Sequence, residues 1–358
     1  MLAAAWTDAL PGDAAGIRGQ DPSVQYSFEP KWDGFRALLF RDGDAVVVQG
    51  RSGEDLAYAF PEVVAACREE LPERIVIDGE LIVISGERLD FEALGARIRP
   101  RSEAGGASIA GLAESSPAAF VAFDALALGD VDLLGEPNSA RREILVEAMS
   151  AAGSRMRLTP QTPDPVRARE WFAAFEGAGL DGLIARDPAL PYRPGKRVLG
   201  KIKHRRTADV VVAGFRRHSS DANPGSLLLG LHDDDARLHH IGVASGFSAR
   251  RRAELAVELA PYALAEGASH PWIGAPEGTR VPGGVNRWSR GRDSSWTPLR
   301  PDLVAEVGYD QMEGDRLRHV ASLQRWRPDR DPASCRYGQD EPPPPLDVRR
   351  VLDGRWDA

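Results

Sequence analysis

The chain has 358 residues, a length typical of two domains, and it is 42% hydrophobic and 27% charged, as ordinary soluble globular proteins are. Its net charge is −8, and its two cysteines are too few for a four-cysteine zinc cluster or a disulfide framework. There is no run of about 18 apolar residues and no basic stretch at the N-terminus, so we expect no membrane helix and no signal peptide, and a cytoplasmic protein.

The first part of the chain reads as strands alternating with amphipathic helices. Apolar residues recur at helical spacing in some segments, and β-branched or aromatic runs of strand length form the others. In chain order, the predicted elements are strands within 26–51 that include an Asp42–Gly43 turn, a helix at 59–71, strands at 74–84 and 118–128, helices at 139–153 and 166–179, and a strand at 180–186.

After Lys203 the pattern changes to short strands with tight turns and a single helix at 248–265. Short strands with one helix are typical of a small β-barrel such as an OB-fold. Residues 338–348 are rich in proline and read as a linker before a short tail. We therefore predict an α+β protein with domains at 1–206 and 207–335 and a proline-rich linker and tail at 336–358.

Lysine is scarce: of 45 basic residues, four are lysine and 41 are arginine. Arginine stays protonated, so a lysine retained in such a chain is expected where a free amine or a compact charge is needed. Lys31, in EPKWDGFR, can act as a covalent nucleophile once its pKa falls from about 10.4. Lys201 and Lys203, two apart on a predicted strand, place both ammonium groups on one face, where they can bind phosphate oxygens.

Two carboxylates also stand at predicted strands beside glycine, Glu80 in IDGEL and Asp181 in LDGLIAR. Such a pair suits a divalent cation or a ribose hydroxyl. Basic residues cluster at 193–217 and 316–330, which in an acidic chain favours a track for a phosphate backbone. Each motif alone is also compatible with a turn, a strand edge or a solvated face.

The order of the motifs is more specific than any one of them. The colinear series is Lys31-Trp32-Asp33-Gly34-Phe35-Arg36, Arg51-Ser52-Gly53, Asp78-Gly79-Glu80, Phe120 to Asp124, Asp181-Gly182 and Lys201-Ile202-Lys203. It resembles the covalent nucleotidyltransferase superfamily, most closely the ATP-dependent DNA ligases, from about Glu29 to Asp331. RLRHVASLQRWRPDRDP resembles the last motif of that family, in its OB-fold, and PYRPGKRVLGKIKH resembles the bacterial DNA ligase C group.

The resemblance implies a role for each matching residue in this sequence. Lys31 would attack the α-phosphate of ATP and form lysyl-AMP, and Lys201 and Lys203 would stabilise charge on that phosphate. The implied catalytic residues are Lys31, Lys201, Lys203 and Arg36. The implied nucleotide-binding residues are Glu29 and Phe123 at adenine, Arg36 and Arg51 at phosphate and ribose, Glu80 at ribose or metal, Lys31, Lys201 and Lys203 at the α-phosphate, and Arg325, Arg327 and Asp329 at pyrophosphate. The implied metal ligands are Glu80 and Asp181.

Three positions depart from the family pattern. Asp181 stands where many relatives have glutamate, which would let water mediate its metal contact. Arg186 takes a usual lysine position, which suggests a phosphate-binding or surface role. Gly200 replaces a bulkier residue, which suggests looser packing beside Lys201.

The resemblance implies an ATP-dependent DNA ligase that seals 3′-OH/5′-phosphate nicks in duplex DNA through lysyl-AMP and a DNA-adenylate, in DNA repair. It would use Mg²⁺, or Mn²⁺ in its place, and act as a monomer with nicked DNA, ATP and unidentified repair proteins as partners and no membrane. NAD is disfavoured as adenylate donor, because only 30 residues precede Lys31 and a four-cysteine zinc module is excluded. The alternatives are an RNA ligase or capping-type nucleotidyltransferase, and a non-catalytic DNA-end-binding protein with the ligase fold.

Overall fold

The computed structural model describes residues 1–6, 21, 23–98, 106–204, 206–265, 267–283, 295–339 and 344–354. The chain divides into two compact units, one formed by Met1–Lys203 with Pro342–Ala358 and one formed by His204–Glu341. The predicted domain limits at residues 206 and 335 stay predictions. Of the helices in the described ranges, none is long and apolar enough to cross a membrane.

The elements follow one another in this order along the chain. The first unit begins with β1 (Leu2–Ala5), β2 (Ser27–Pro30), β3 (Phe35–Asp42), β4 (Ala45–Gly50), α1 (Pro61–Glu70), β5 (Arg74–Ser85), β6 (Arg88–Leu89), α2 (Phe91–Arg97), α3 (Gly106–Ser115), β7 (Ala118–Leu128), β8 (Val131–Asp132), α4 (Asn138–Ala148), β9 (Met156–Leu158), α5 (Pro165–Phe175), β10 (Gly182–Arg186) and β11 (Arg197–Lys203). The second unit has β12 (Arg206–Arg217), β13 (Pro224–His232), β14 (Leu238–Ala244), α6 (Ala249–Leu259), β15 (Thr297–Tyr309), β16 (Met312–Glu313), β17 (Arg316–Leu317) and β18 (Ser322–Trp326), and α7 (Val348–Leu352) returns to the first.

Two sheets form the framework of the first unit. The larger has the path β4-β3-β5-β7-β8, with β6 paired to β5 and β9 to β7, and the smaller has the order β1-β11-β10-β2. One core cluster joins them, because it contains Ile82 and Val121 from the larger sheet and Leu183 and Ile202 from the smaller. Apolar burial of this kind is the main force that holds two sheets together.

The predicted strands and helices of the first unit are confirmed to within a few residues. β3 and β4 pair from Asp42 opposite Ala45, so the connection is a two-residue hairpin, and Gly43 has the positive φ (+59°) that such a turn favours. α1, α4 and α5 bury one apolar face each, as their spacing predicts.

Gly200 is packed more closely than the sequence suggested. A Cβ atom at this position would lie 2.3 Å from the Trp6 ring, which itself packs edge-on against Tyr26 at 4.9 Å between ring centroids. The glycine therefore makes room for the indole of Trp6 beside β11, and the expectation of loose packing is wrong.

The second unit is built on five antiparallel strands in the order β14-β13-β12-β15-β18. A bridge between Ala244 at the end of β14 and Ala321, next to β18, connects the two edges of the sheet, with Ala321 N donating to Val243 O at 2.9 Å. A sheet whose edge strands meet closes into a barrel, which removes its exposed edges. The predicted strands after Lys203 and the single long helix, α6, are thus confirmed.

The predicted tail is divided between the two units in the described residues. Residues 336–339 lie with the second unit, whereas 344–354 lie with the first, where Val348 and Val351 are fully buried in the cluster that joins the two sheets. Val348 N donates to Glu87 O at 2.8 Å. α7 has five residues, which are too few to show a hydrophobic periodicity from which this docking could be predicted.

We expect Val351→Asp to lower the free energy of unfolding by about 3 kcal/mol, because it places an unpaired carboxylate in the apolar cluster. The measurement is urea unfolding followed by tryptophan fluorescence. Val146→Asp on α4 is the matched control, since Val146 is 47% exposed. Equal stability of the two variants would contradict the docking of α7.

Candidate active site

Lys31 lies in the connection from β2 to β3, held against the start of β10. Its backbone N donates to Gly182 O at 2.9 Å, and Asp181 N donates to Lys31 O at 3.2 Å. Gly182 has φ +135°, and a Cβ there would lie 2.0 Å from Ile202 O. Only glycine permits this approach, so Gly182 brings the loop of Lys31 and the strand of Lys203 together.

The side chains of three predicted residues meet at this point. Lys31 Nζ donates to Asp181 Oδ2 at 2.6 Å, and Lys203 Nζ lies 3.2 Å from the same oxygen. Burial acts to raise the pKa of Asp181, but the two ammonium groups outweigh it and lower that pKa to about 2. The carboxylate is therefore ionised at neutral pH and holds the Lys31 ammonium in place.

Glu80 is partly buried on β5, directly opposite Arg36 on β3. Burial raises its pKa to about 8, against the attraction of Lys31 and Arg36, which acts to lower it. Among the residues that the structure describes, no group of three or more His, Cys, Asp and Glu side chains is placed to hold a metal ion. Mg²⁺ is commonly held by one or two carboxylates with substrate phosphates and water. Glu80 and Asp181 fit that ion, and both lie close enough to Lys31 for its charge to act to lower their pKa values.

Arg36 is fixed by a buried carboxylate that the motif analysis did not assign. Its Nε and Nη2 donate to the two oxygens of Asp78 at 2.9 and 2.5 Å, a bidentate ion pair with a side chain that is 1% exposed. The Tyr192 hydroxyl donates to Asp78 Oδ2 at 2.8 Å, and the guanidinium of Arg141 lies over the tyrosine ring at 5.7 Å. Asp78 thus sets the direction of Arg36.

A cleft of about 540 Å³ in the first unit brings together further predicted residues. Arg36, Arg51 and Lys201 line it, together with Tyr192 and the start of β1. Arg51 is exposed beyond β4, and Lys201 on β11 faces the cleft beside it. With Arg197, which also lines it, the cleft has four cationic side chains, and these suit a ligand that carries phosphate groups.

Glu29 belongs to a buried ionic network behind this cleft. Arg186 Nε donates to Glu29 Oε1 at 2.7 Å, and its Nη1 lies 3.4 Å from Asp124, which also pairs with Arg141 at 2.8 Å. Burial raises the pKa of Glu29 despite the charge of Arg186. The predicted surface role of Arg186 is therefore wrong, because the residue is 2% exposed and its guanidinium pairs with Glu29. Its predicted phosphate-binding role stays a prediction.

Phe123 lies next to this network. Its ring centroid is 5.2 Å from the Arg186 guanidinium and 5.8 Å from that of Arg36. Its predicted stacking on adenine, and the adenine contact of Glu29, stay predictions.

The residues of the last motif lie in the second unit. Arg327 donates to both oxygens of Asp209 at 2.9 Å and to Asp329, and Arg325 donates to Glu306 at 2.7 Å. The Arg327 interaction lowers the pKa of Asp329 to about 2. Arg325 and Arg327 are thus each paired with a carboxylate inside this unit.

Comparison with known proteins decides the family. A family model of the ATP dependent DNA ligase domain matches residues 20–203, and one of the ATP dependent DNA ligase C terminal region matches residues 220–330. The chain belongs to the ATP-dependent DNA ligases. The predicted fold class is confirmed: a nucleotidyltransferase domain is followed by an OB-fold domain in an α+β protein.

Individual ligases resemble the chain over nearly its whole length. DNA ligase C of Mycobacterium tuberculosis is 47% identical over 363 aligned positions, which cover 99% of this chain and 96% of that protein. The multifunctional non-homologous end joining DNA repair protein LigD of the same species is 30% identical over 91% of this chain and 38% of its own length. A solved structure of a Lig E DNA ligase is 17% identical, with a TM-score of 0.51 over 87% of this chain and 95% of that one, and shares the fold.

Within this ligase site, the sequence motifs missed residues that act through others. Asp78 lies inside the Asp78-Gly79-Glu80 motif, and its neighbour Glu80 alone was given a role. Tyr192 lies in PYRPGKR, a segment that was used for resemblance only. No sequence signal distinguishes Arg186 as buried, because its partners lie 157 and 62 residues away.

We expect the stability of the ligase to depend on pH through Glu80. A carboxyl whose pKa is raised on folding from 4.5 to about 8 favours the folded state below pH 4.5 and loses that contribution as the pH rises through about 8. Glu80→Gln is neutral at every pH, so it should raise the melting temperature by about 5 °C at pH 9 and change it little at pH 5. Calorimetry in EDTA measures this, with the exposed Glu143→Gln as control; identical shifts at both pH values would contradict the burial of Glu80.

We expect Tyr192→Phe to lower the single-turnover rate of nick sealing about tenfold, because Asp78 loses a charge-assisted hydrogen bond that steadies it under Arg36. The ring under Arg141 is kept, so the melting temperature should fall by only a few degrees. Tyr26→Phe is the control, since that hydroxyl only accepts from the backbone of Asp21 at 3.2 Å. A sealing rate equal to that of the control would show that Tyr192 does not position Arg36.

Proposed function

We propose that this ATP-dependent DNA ligase seals nicks between a 3′-OH and a 5′-phosphate in duplex DNA. The observation that carries the proposal is the contact of Lys31 Nζ with Asp181, at the one place where Lys31, Asp181 and Lys203 meet. A lysine held in this way by an ionised carboxylate is positioned as a nucleophile, since oriented attack supplies much of the rate of such a reaction.

In the first step, Lys31 Nζ gives a proton to solvent water and attacks the α-phosphorus of ATP. A P–N bond forms, the bond between the α-phosphorus and the bridging oxygen breaks, and pyrophosphate leaves with that electron pair. Lys201 and Lys203 stabilise the charge on the α-phosphate oxygens, because phosphoryl-type transfer depends mainly on positioning and positive charge. Arg325, Arg327 and Asp329 orient the leaving pyrophosphate.

The adenylate then passes to DNA. A 5′-phosphate oxygen of the nick attacks the AMP phosphorus and frees Lys31, after which the 3′-OH attacks the 5′-phosphorus and AMP leaves. Arg36 and Arg51, which share the cleft with Lys201, hold the phosphate and ribose in these steps. Guanidinium groups bind phosphate oxygens in pairs, which fixes the angle of attack.

A divalent cation and adenine contacts complete the proposed site. Glu80 and Asp181 would hold Mg²⁺, or Mn²⁺ in its place, which would supply positive charge at the phosphates. Glu29, whose Oε2 has no hydrogen-bond partner in the described part of the chain, recognises adenine, and Phe123 stacks on the base. The two proposed metal ligands share Lys31 as a neighbour, which supports this placement.

We place the enzyme in DNA repair, as the name of the related LigD protein indicates for that relative. We also propose that it acts as a monomer, with repair proteins that are not yet identified. The cytoplasm suits its cysteines, because Cys67 and Cys335 are both free and buried. An RNA ligase or capping activity would instead appear as joining of RNA strands or transfer of GMP, and an end-binding protein as binding without adenylation.

We expect the chain to form a covalent adduct with α-labelled ATP and Mg²⁺, visible on a denaturing gel after bound AMP has been removed with pyrophosphate. Lys31→Arg should abolish the label, because arginine does not deprotonate. Lys196→Arg is the matched control, as Lys196 is exposed and has no role in the site, and it should label fully. No adduct with ATP, or a label only with GTP or NAD, would contradict the proposal. Comparing the rate of sealing on nicked DNA with the rate on nicked RNA then identifies which polymer is the substrate.

A further inference from the structure

Asp209, on β12 of the second unit, lies under the arginines of the last motif. Arg327 Nη1 donates to both of its carboxylate oxygens at 2.9 Å, and Arg330 Nε lies 3.0 Å from Oδ2. The side chain of Asp209 is only 12% exposed, whereas that of Asp329, the other partner of Arg327, is 62% exposed. Arg327 thus has two carboxylates inside the unit, Asp209 and, 3.8 Å from Nη1, Glu306, and one at its surface, Asp329.

The backbone of Asp209 is held by a neighbouring strand and by the side chain of Gln339. It stands opposite Glu306 of β15, which in turn stands opposite Arg325 of β18. Asp209 N donates to Gln339 Oε1 at 3.0 Å, and Gln339 Nε2 donates to Asp209 O at 2.8 Å. A carboxylate on so well-paired a backbone is a rigid anchor, because its own strand cannot shift without breaking these bonds.

We infer that Asp209 is a positioning residue for the pyrophosphate-binding step; the inference rests on the function proposed above for Arg327. A guanidinium carries five N–H donors in one plane, so holding one edge fixes the direction of the rest. Asp209 holds Nη1, while the exposed Asp329 pairs with the edge formed by Nε and Nη2, at 2.9 and 2.7 Å. That outer edge can donate to two phosphate oxygens. Pyrophosphate therefore displaces Asp329 from this edge, or binds the edge beside it, while Asp209 stays in place.

Asp209 therefore affects one step of the reaction and not the others. Pyrophosphate is present only while Lys31 is being adenylated from ATP. A nick that already carries the 5′-adenylate needs no contact with pyrophosphate, so its sealing does not use the plane of Arg327. A structural role of Asp209 would instead impair both reactions together.

The test measures both reactions on the full chain with Asp209→Asn, which keeps the shape and removes the charge. We expect the rate of adenylation at ATP concentrations below KM to fall about tenfold or more, with KM for ATP raised, and the sealing of pre-adenylated nicks without ATP to stay within about twofold. Asp221→Asn is the matched control, because it breaks a comparable ion pair with Arg252, at 2.7 Å, elsewhere in the same unit. It should change neither reaction.

Two further variants keep the inference falsifiable if Asp209→Asn folds poorly. Gln339→Ala, at an exposed position, removes the two bonds that hold the backbone of Asp209 together with a bond from Nε2 to Arg336 O, and it should slow adenylation alone. Adding Asp209→Asn to Arg327→Ala should cause no further loss of adenylation, because the effect of Asp209 passes through Arg327.

The inference is overturned if adenylation by Asp209→Asn matches that of the control, if both reactions fall together, or if the losses in the double variant add. These results differ from a failure of the proposed function. In that case the unchanged chain itself would form no adenylate from ATP or would not seal a pre-adenylated nick.

Discussion

The contact of the Lys31 ammonium with the Asp181 carboxylate is the interaction on which the site depends. It exists because the Lys31 loop is hydrogen-bonded to Gly182 on β10, and because β11 lies close to the same glycine. A Cβ atom at Gly182 would collide with Ile202 O. The same carboxylate takes Lys203 as a second partner, so one side chain sets the positions of two cations. The proposed nucleophile and a proposed phosphate-binding lysine are thereby positioned against the backbone of the smaller sheet.

Two arginines of the predicted site, Arg36 and Arg327, follow a second rule: each is held by a carboxylate that is mostly buried. Asp78 holds Arg36 in the first unit, and Asp209 holds Arg327 in the second. A guanidinium without such a partner would be free to rotate, and binding a phosphate would then require it to lose that freedom. A fixed counter-ion removes that cost. It also neutralises the charge of the arginine, which is consistent with a net charge of −8 in a chain that has 41 arginines.

Much of the fold could be predicted, because most elements carry local signals. The hairpin at Gly43 follows from the conformational freedom of glycine, and α1, α4 and α5 from apolar residues at helical spacing. β1 and α7 escaped prediction, since four or five residues contain too little periodicity and both depend on partners far away, β1 on β11 and α7 on the cluster around Val351. Gly200 was misjudged for the same reason: the Trp6 ring that fills its space comes from a distant part of the chain.

The sequence by itself predicted the chemistry. The order of the motifs around Lys31, Glu80 and Lys201 resembles that of the ATP-dependent DNA ligases, and residue type limits which groups can lose a proton or bind a metal. The nucleophile and the charges around a phosphate could therefore be proposed from the sequence. Only the tertiary structure decided which charge pairs with which. Arg186 became a buried counter-ion of Glu29, and Asp181 a partner of Lys31, because ion pairs between residues more than 100 positions apart are set by strand register and burial, which no local pattern contains.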